Sequence, residues 1–143
     1  MDYIKGVTIA PFSRKGAFEG EAILESFNRM VEGTGCDFVI FVPTGHQQTP
    51  QSEEIVFESE YNVGDDELIR MIRYAHGKGI RVALKPTVNC KNGTWRAHIN
   101  FFDEDVPCEP KWCNWFASYT EFQVHFSKIA EKCGCEMFIA GCE

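Results

Sequence analysis

The stretch Asp65-Asp66-Glu67-Leu68-Ile69-Arg70-Met71-Ile72-Arg73-Tyr74-Ala75-His76-Gly77-Lys78-Gly79-Ile80-Arg81-Val82-Ala83-Leu84-Lys85-Pro86 decides the fold. Leu68, Ile69, Ile72 and Ala75 recur at helical spacing, Asp65 or Asp66 can cap the first turn, and Gly77 and Gly79 stop the helix. Residues 80–85 then form a short apolar run that reads as a strand buried on both faces. The same alternation runs through the chain. Residues 4–10, 37–42 and 137–140 are further strands of this type. A helix over 21–31 places Ile23, Phe27, Met30 and Val31 on one face and ends at Gly33-Thr34-Gly35. Ser118-Tyr119-Thr120-Glu121 has the capping-box pattern and opens a third helix, with Phe122, Phe126, Ile129, Ala130 and Cys133 inward before Gly134. Strands alternating with helices imply right-handed crossovers and an α/β fold with a parallel sheet.

Composition bounds what such a domain can do. The chain has 143 residues, 44% hydrophobic and 24% charged, as expected of one globular domain. Fourteen Lys plus Arg against 21 Asp plus Glu give a net charge of −7, so no general field draws in phosphate backbones or anionic lipid, and no nucleic-acid partner is expected. Apolar runs such as residues 37–42 fall far short of the roughly 20 residues of a membrane helix. Residues 1–6 lack a basic start and a long apolar region, which together with the thiols favours the cytoplasm, although a signal removed beforehand would leave no trace. The seven cysteines are an odd count and read as free thiols in a reducing compartment. A zinc site on Cys108, Cys113, Cys133 and Cys135 is the sharper alternative. Its gaps, C-x4-C and C-x-C, do not match the usual structural spacing, so neither metal nor cofactor is expected.

The links are unequal. Helix-to-strand turns at 33–36, 77–79 and 134–136 are tight, whereas the strand-to-helix links 43–64 and 86–117 are long. In parallel α/β folds those long links lie at the carboxyl ends of the strands, where binding sites are built. The first, with Gln47, Gln48, Thr49, Pro50, Gln51 and Ser52, has the composition of a mobile segment. The sequence stops at Gly141-Cys142-Glu143 directly after the fourth strand, and it reads as an interrupted sheet whose remainder is expected in a further segment or a partner chain.

Three sets of residues could carry chemistry. Glu143 stands at the carboxyl end of a strand, where barrel enzymes place catalytic groups, and the plainer reading is a solvated surface glutamate. Lys85 ends the third strand, either as a structural ion pair or as a ligand contact. The link after it contains Asn89, Trp95, Arg96, His98 and Asn100, and all three tryptophans of the chain. Flat aromatic faces beside Asn, Arg and His donors suit a sugar, whose ring faces stack while its hydroxyls take directed hydrogen bonds. At least one of Trp112 and Trp115 is expected to do no more than pack the link onto the sheet. His46, His76 and His125 receive no role. Gly33 and Gly35 precede a strand rather than open a helix, and neither a Walker nor a Gly-x-Ser-x-Gly nor a His-Glu-x-x-His motif is present.

Lys85-Pro86, the Asn89 to Trp95-Arg96 stretch and Phe138-Ile139-Ala140-Gly141-Cys142-Glu143 together resemble glycoside hydrolase family 113, the β-mannanases of clan A. The resemblance implies a (β/α)8 TIM barrel, of which residues 1–143 would supply about the first four βα units. It implies retaining hydrolysis of β-1,4-mannosidic bonds in mannan and mannooligosaccharides, with Glu143 as general acid/base. It further implies that Asn89 and Arg96 face the sugar next to the bond cleaved, with Lys85 and Trp95 nearby. Many clan A enzymes have Asn before the acid/base, where this chain has Cys142, and the nucleophilic glutamate belongs after a seventh strand, outside this chain. The 143 residues alone are therefore expected to be inactive. Two other readings stay open: a carbohydrate-binding or structural half-barrel without activity of its own, and a clan A hydrolase acting on another β-linked polysaccharide such as glucan or chitosan.

Overall fold

The structure is a computed structural model that describes residues 3–11, 14–102 and 109–141. In chain order it forms β1 (Gly6–Ile9), α1 (Glu21–Thr34), β2 (Phe38–Phe41), β3 (Thr44–Gln47), α2 (Asp65–Gly77), β4 (Arg81–Leu84), β5 (Thr87–Cys90), a 3-10 turn (Arg96–His98), α3 (Glu109–Cys133) and β6 (Met137–Phe138). The four expected strands are β1, β2, β4 and β6. They pair in parallel in that order, with α1, α2 and α3 as the crossovers, which is the order that the first part of a (β/α)8 barrel requires.

Strand periodicity divides the sheet into two faces. Val39 and Phe41 of β2 and Val82 and Leu84 of β4 are fully buried against the helices. There they meet Phe27 of α1, Leu68, Ile72 and Ala75 of α2, and Phe122 and Phe126 of α3. These are the helical faces that spacing predicts. The alternate residues, Thr8, Ile40 and Ala83, align across the sheet and face the other way, toward the barrel axis.

The structure corrects four expectations. The helix 65–77 is capped by Gly64 rather than by an aspartate. Glu67 takes the Gly64 N–H at 3.0 Å, so the N-terminus is closed from inside the first turn. The third helix begins at Glu109, nine residues before the capping-box signature. Ser118 does not cap it, because its hydroxyl accepts the N–H of Ile55 at 2.9 Å and so ties the first long link to α3. The strand expected over 137–140 is confined to two residues, although Ile139 N–H still donates to Leu84 O at 2.9 Å.

The fourth correction concerns the link 43–64. It is not a polar excursion but carries β3, which pairs in parallel with β5 as a second, two-stranded sheet. The two sheets share one register: Phe38 pairs with Arg81 and Thr44 with Thr87, the same offset of 43 residues (81 − 38 and 87 − 44). The interruption falls at Pro43 and Pro86, which occupy matching places and have no N–H for the ladder. Around them the Lys85 N–H donates to Phe41 O at 2.9 Å and the Thr87 N–H to Pro43 O at 3.0 Å, so the strands run on past the break. The polar side chain of Gln47 is 1% exposed. It donates to Thr49 O at 2.8 Å and accepts from Trp115 Nε1 at 2.9 Å. Full satisfaction of its amide is what allows so polar a segment to lie inside.

Candidate functional site

Continuing the inward alternation of the sheet past the prolines builds the site. Thr8, Ile40 and Ala83 are followed by Ala10, Val42 and Lys85, then by Thr44 beside Thr87, then by His46 beside Asn89. Each step is more polar than the one below. A small cavity of about 130 Å³ borders Thr8, Val42, Thr44, Lys85, Asn89 and Arg96. A larger one of about 840 Å³ is lined by His46, Tyr61, Asn89, Lys91, Trp95 and Arg96. Asn89 and Arg96 border both.

All four binding residues expected from sequence thus meet at one end of the sheet. Arg96 Nη1 donates to Asn89 Oδ1 at 2.9 Å, which orients the guanidinium across the strand end and leaves the Asn89 amide N–H2 as the donor of that side chain. Arg96 lies in the 3-10 turn, which the peptide N–H of His98 closes onto Trp95 O at 3.0 Å. Trp95 is 61% exposed, with its ring on the larger cavity and the ring of His98 against it edge-on at 6.2 Å. It is the tryptophan available for stacking. Trp115 is buried against Tyr119 and Gln47, and Trp112 packs edge-on to Phe101 at 4.7 Å, so both hold the link to the body as expected of at least one of them.

Sequence reasoning missed His46, Tyr61, Asn62 and Lys91. The Lys91 ammonium lies 4.8 Å from the Tyr61 ring centroid, and Arg14 stands over the same ring at 5.9 Å. Burial, and secondarily the positive charge of Lys91, hold the His46 imidazole below its ordinary pKa. One signal was present: both strands end on the dipeptide Pro-Thr, at 43–44 and 86–87, and matching the two would have carried the inward alternation on to His46 and Asn89.

Glu143 and Cys142 lie outside the described residues, and so does Cys108. The described chain ends at Gly141, at the carboxyl end of the sheet, where Tyr119 Oη donates to Ala140 O at 3.2 Å. The zinc alternative meets a geometric obstacle. Cys113 and Cys133 stand at opposite ends of α3, 20 residues apart (133 − 113), or roughly 30 Å of helix. Cys36, Cys90, Cys113, Cys133 and Cys135 are all free. Away from the cleft, Glu58, Asp65 and His125 bring ligand atoms within 4.8 Å of one another. His125 Nε2 lies 3.0 Å from Asp65 Oδ1, a tie between α3 and the start of α2. Among the described residues, no helix is long and apolar enough to cross a membrane.

The family model for Glycoside Hydrolase Family 113 matches residues 7–143. No curated protein matches the chain. A solved structure of a GH113 β-1,4-mannanase is 52% identical, with a TM-score of 0.93 over 100% of this chain and 46% of that one. The GH113 β-mannanase AaManA from Alicyclobacillus acidocaldarius, solved in complex with ManMIm, is 34% identical, with a TM-score of 0.90 over 100% of this chain and 45% of its own. The chain therefore spans slightly under half the length of these proteins, and its four parallel strands are the first four of a (β/α)8 barrel. Residues 1–143 belong to glycoside hydrolase family 113.

Proposed function

We propose that the protein carrying this chain is a retaining endo-β-1,4-mannanase. The observation that carries the reading is the cleft above β3 and β5, where Asn89 and Arg96 join at 2.9 Å beside an exposed Trp95, in a chain 52% identical to a β-1,4-mannanase. A sugar ring stacks on Trp95 while its hydroxyls take the Asn89 amide and the Arg96 guanidinium, and Lys85 adds a cation at the floor. Glu143 protonates the leaving oxygen. A second carboxylate, some 5 to 5.5 Å from it in retaining enzymes, attacks the anomeric carbon, and Glu143 then acts as base on water. That carboxylate is assigned to the end of a seventh strand. The cytoplasm remains the proposed compartment.

The test is hydrolysis of mannooligosaccharides by the protein, with the anomer released first read by NMR. A β-configured first product supports retention, and an α-configured one overturns it. Glu143→Gln keeps size and hydrogen bonding but removes the transferable proton, so kcat should fall roughly 10²- to 10⁴-fold, and less with a good leaving group. Arg96→Ala removes a positioning donor, and its loss should be similar for good and poor leaving groups. Full activity of Glu143→Gln on mannooligosaccharide would remove the acid/base assignment.

A further inference from the structure

The imidazole of His46 is fixed in one tautomer by a side chain from another part of the chain. Asn62 is 4% exposed and lies in the segment leading to α2, against β3. Its Nδ2 donates to the Thr44 carbonyl and stands 3.2 Å from His46 Nδ1, while its Oδ1 takes the Ser59 hydroxyl. The Thr44 carbonyl can only accept, so the face of the amide turned toward it is the nitrogen. His46 Nδ1 then meets an N–H donor and must itself accept, which leaves the imidazole proton on Nε2. The Nε2 edge has no hydrogen-bond partner among the described residues, and the ring borders the cavities of about 200 Å³ and 840 Å³. His46 is also in register with Asn89, which holds Arg96.

We propose that His46 donates its Nε2–H to a substrate hydroxyl in the cleft and that Asn62 is the positioning residue that keeps the proton on that nitrogen. The inference deepens the sugar-hydrolase reading and rests on it. A fixed, neutral donor moves no proton during the reaction. It orders one hydroxyl of the sugar beside those ordered by Asn89 and Arg96. Burial and Lys91 keep the ring neutral below the pH at which a free histidine would charge, in keeping with that role.

Two measurements on the protein decide it. The imidazole 15N spectrum of His46 should show a protonated Nε2 and an unprotonated Nδ1, and mannotetraose should shift the Nε2–H resonance. In kinetics, His46→Leu should raise KM for mannotetraose about tenfold, with a smaller change in kcat, as loss of one ground-state hydrogen bond implies. His46→Gln, whose amide nitrogen reaches the position of Nε2, should recover most of it, which a purely structural role would not predict. A proton on Nδ1, or an unchanged KM in a folded His46→Leu, would overturn the proposal. If the wild-type protein hydrolyses no mannan, the enzyme reading fails by itself. An Nε2–H resonance that ignores mannotetraose would then overturn the His46 assignment as well.

Discussion

Glu67 is 5% exposed and spends its carboxylate on three backbone N–H groups, those of Gly16 at 2.8 Å, Phe18 at 2.9 Å and Gly64 at 3.0 Å. One acid thereby caps α2 and binds the segment before α1 to it. Glu67→Ala leaves three donors without an acceptor, and urea unfolding should show a loss of about 3 kcal/mol or more, against about 1 to 2 for Glu67→Gln, which keeps one oxygen. Nothing in the sequence separates Glu67 from its neighbours Asp65 and Asp66, because all three read as first-turn acids, and only the fold brings Gly16 and Phe18 to one of them. The thiols divide in a similar way. Cys113 is exposed, whereas burial first, then Cys133 and Glu136, push the Cys135 thiol up to about 12. Alkylation of the native protein near pH 8, mapped by mass spectrometry, should therefore modify Cys113 well before Cys135, since the thiolate is the reacting species.

Among the elements, β3 shows how closely the first long link is fitted to the helical layer. A Cβ on Gly45 would stand 2.6 Å from Ile55 Cγ2 and 3.0 Å from the Phe122 ring. Gly45→Ala should cost about 1 to 3 kcal/mol in thermal or urea unfolding through overpacking alone, and a neutral outcome would mean that β3 is not seated on α3. This strand was illegible for a physical reason. A count of polar residues treats Gln47 as exposed, yet Trp115, 68 positions away, supplies the hydrogen bond that makes its burial affordable. The start of α3 was misplaced by the same kind of distance. Ser118 carries a capping signature, but its hydroxyl is committed to Ile55. The inner strands β2 and β4 and the amphipathic helices, by contrast, were readable, because their apolar periodicity is local and the core uses it. The strands β1 and β6, expected to be buried on both faces, lie at the edges of the sheet and stay partly exposed.

Across the whole molecule, the parallel sheet was legible from the alternation of strands and helices, its chain order followed from the barrel that the family resemblance implies, and the cleft end followed from the long links. Asn89, Trp95, Arg96 and Lys85 were singled out through the composition of their link and the family resemblance, and register brings them together at one strand end. His46 and Asn62 were not found, since their contact spans 16 residues of irregular chain. At the opposite end of the sheet, Glu136 joins the last strand to the third. Its carboxylate takes the Val82 N–H at 2.7 Å and lies 3.3 Å from His76 Nε2. Burial alone would raise its pKa, but the Val82 and Glu136 N–H groups and His76 outweigh it and hold the group below the ordinary carboxylate value. The stabilisation is present above the pKa of an unfolded glutamate and disappears as pH falls through the depressed folded value. Glu136→Gln should therefore cost about 1 kcal/mol at pH 7, a figure that allows for the solvent exposure of the carboxylate, and progressively less as pH falls through the depressed folded value, as read by urea unfolding across an acid series.

The matched prolines 43 and 86 have a dynamic consequence. They divide one continuous pair of strands into a lower part, buried between helices and barrel axis, and an upper part that bears the cleft. Since the ladder is thinned there, the upper pair, held mainly by the seating of Gly45 on Ile55 and Phe122, is expected to open before the lower. Amide hydrogen exchange should register this as two tiers, with the β5 amides exchanging orders of magnitude faster than those of β4 and doing so independently of global stability. The break thus separates the part of the strands that holds the fold from the part that borders the cleft.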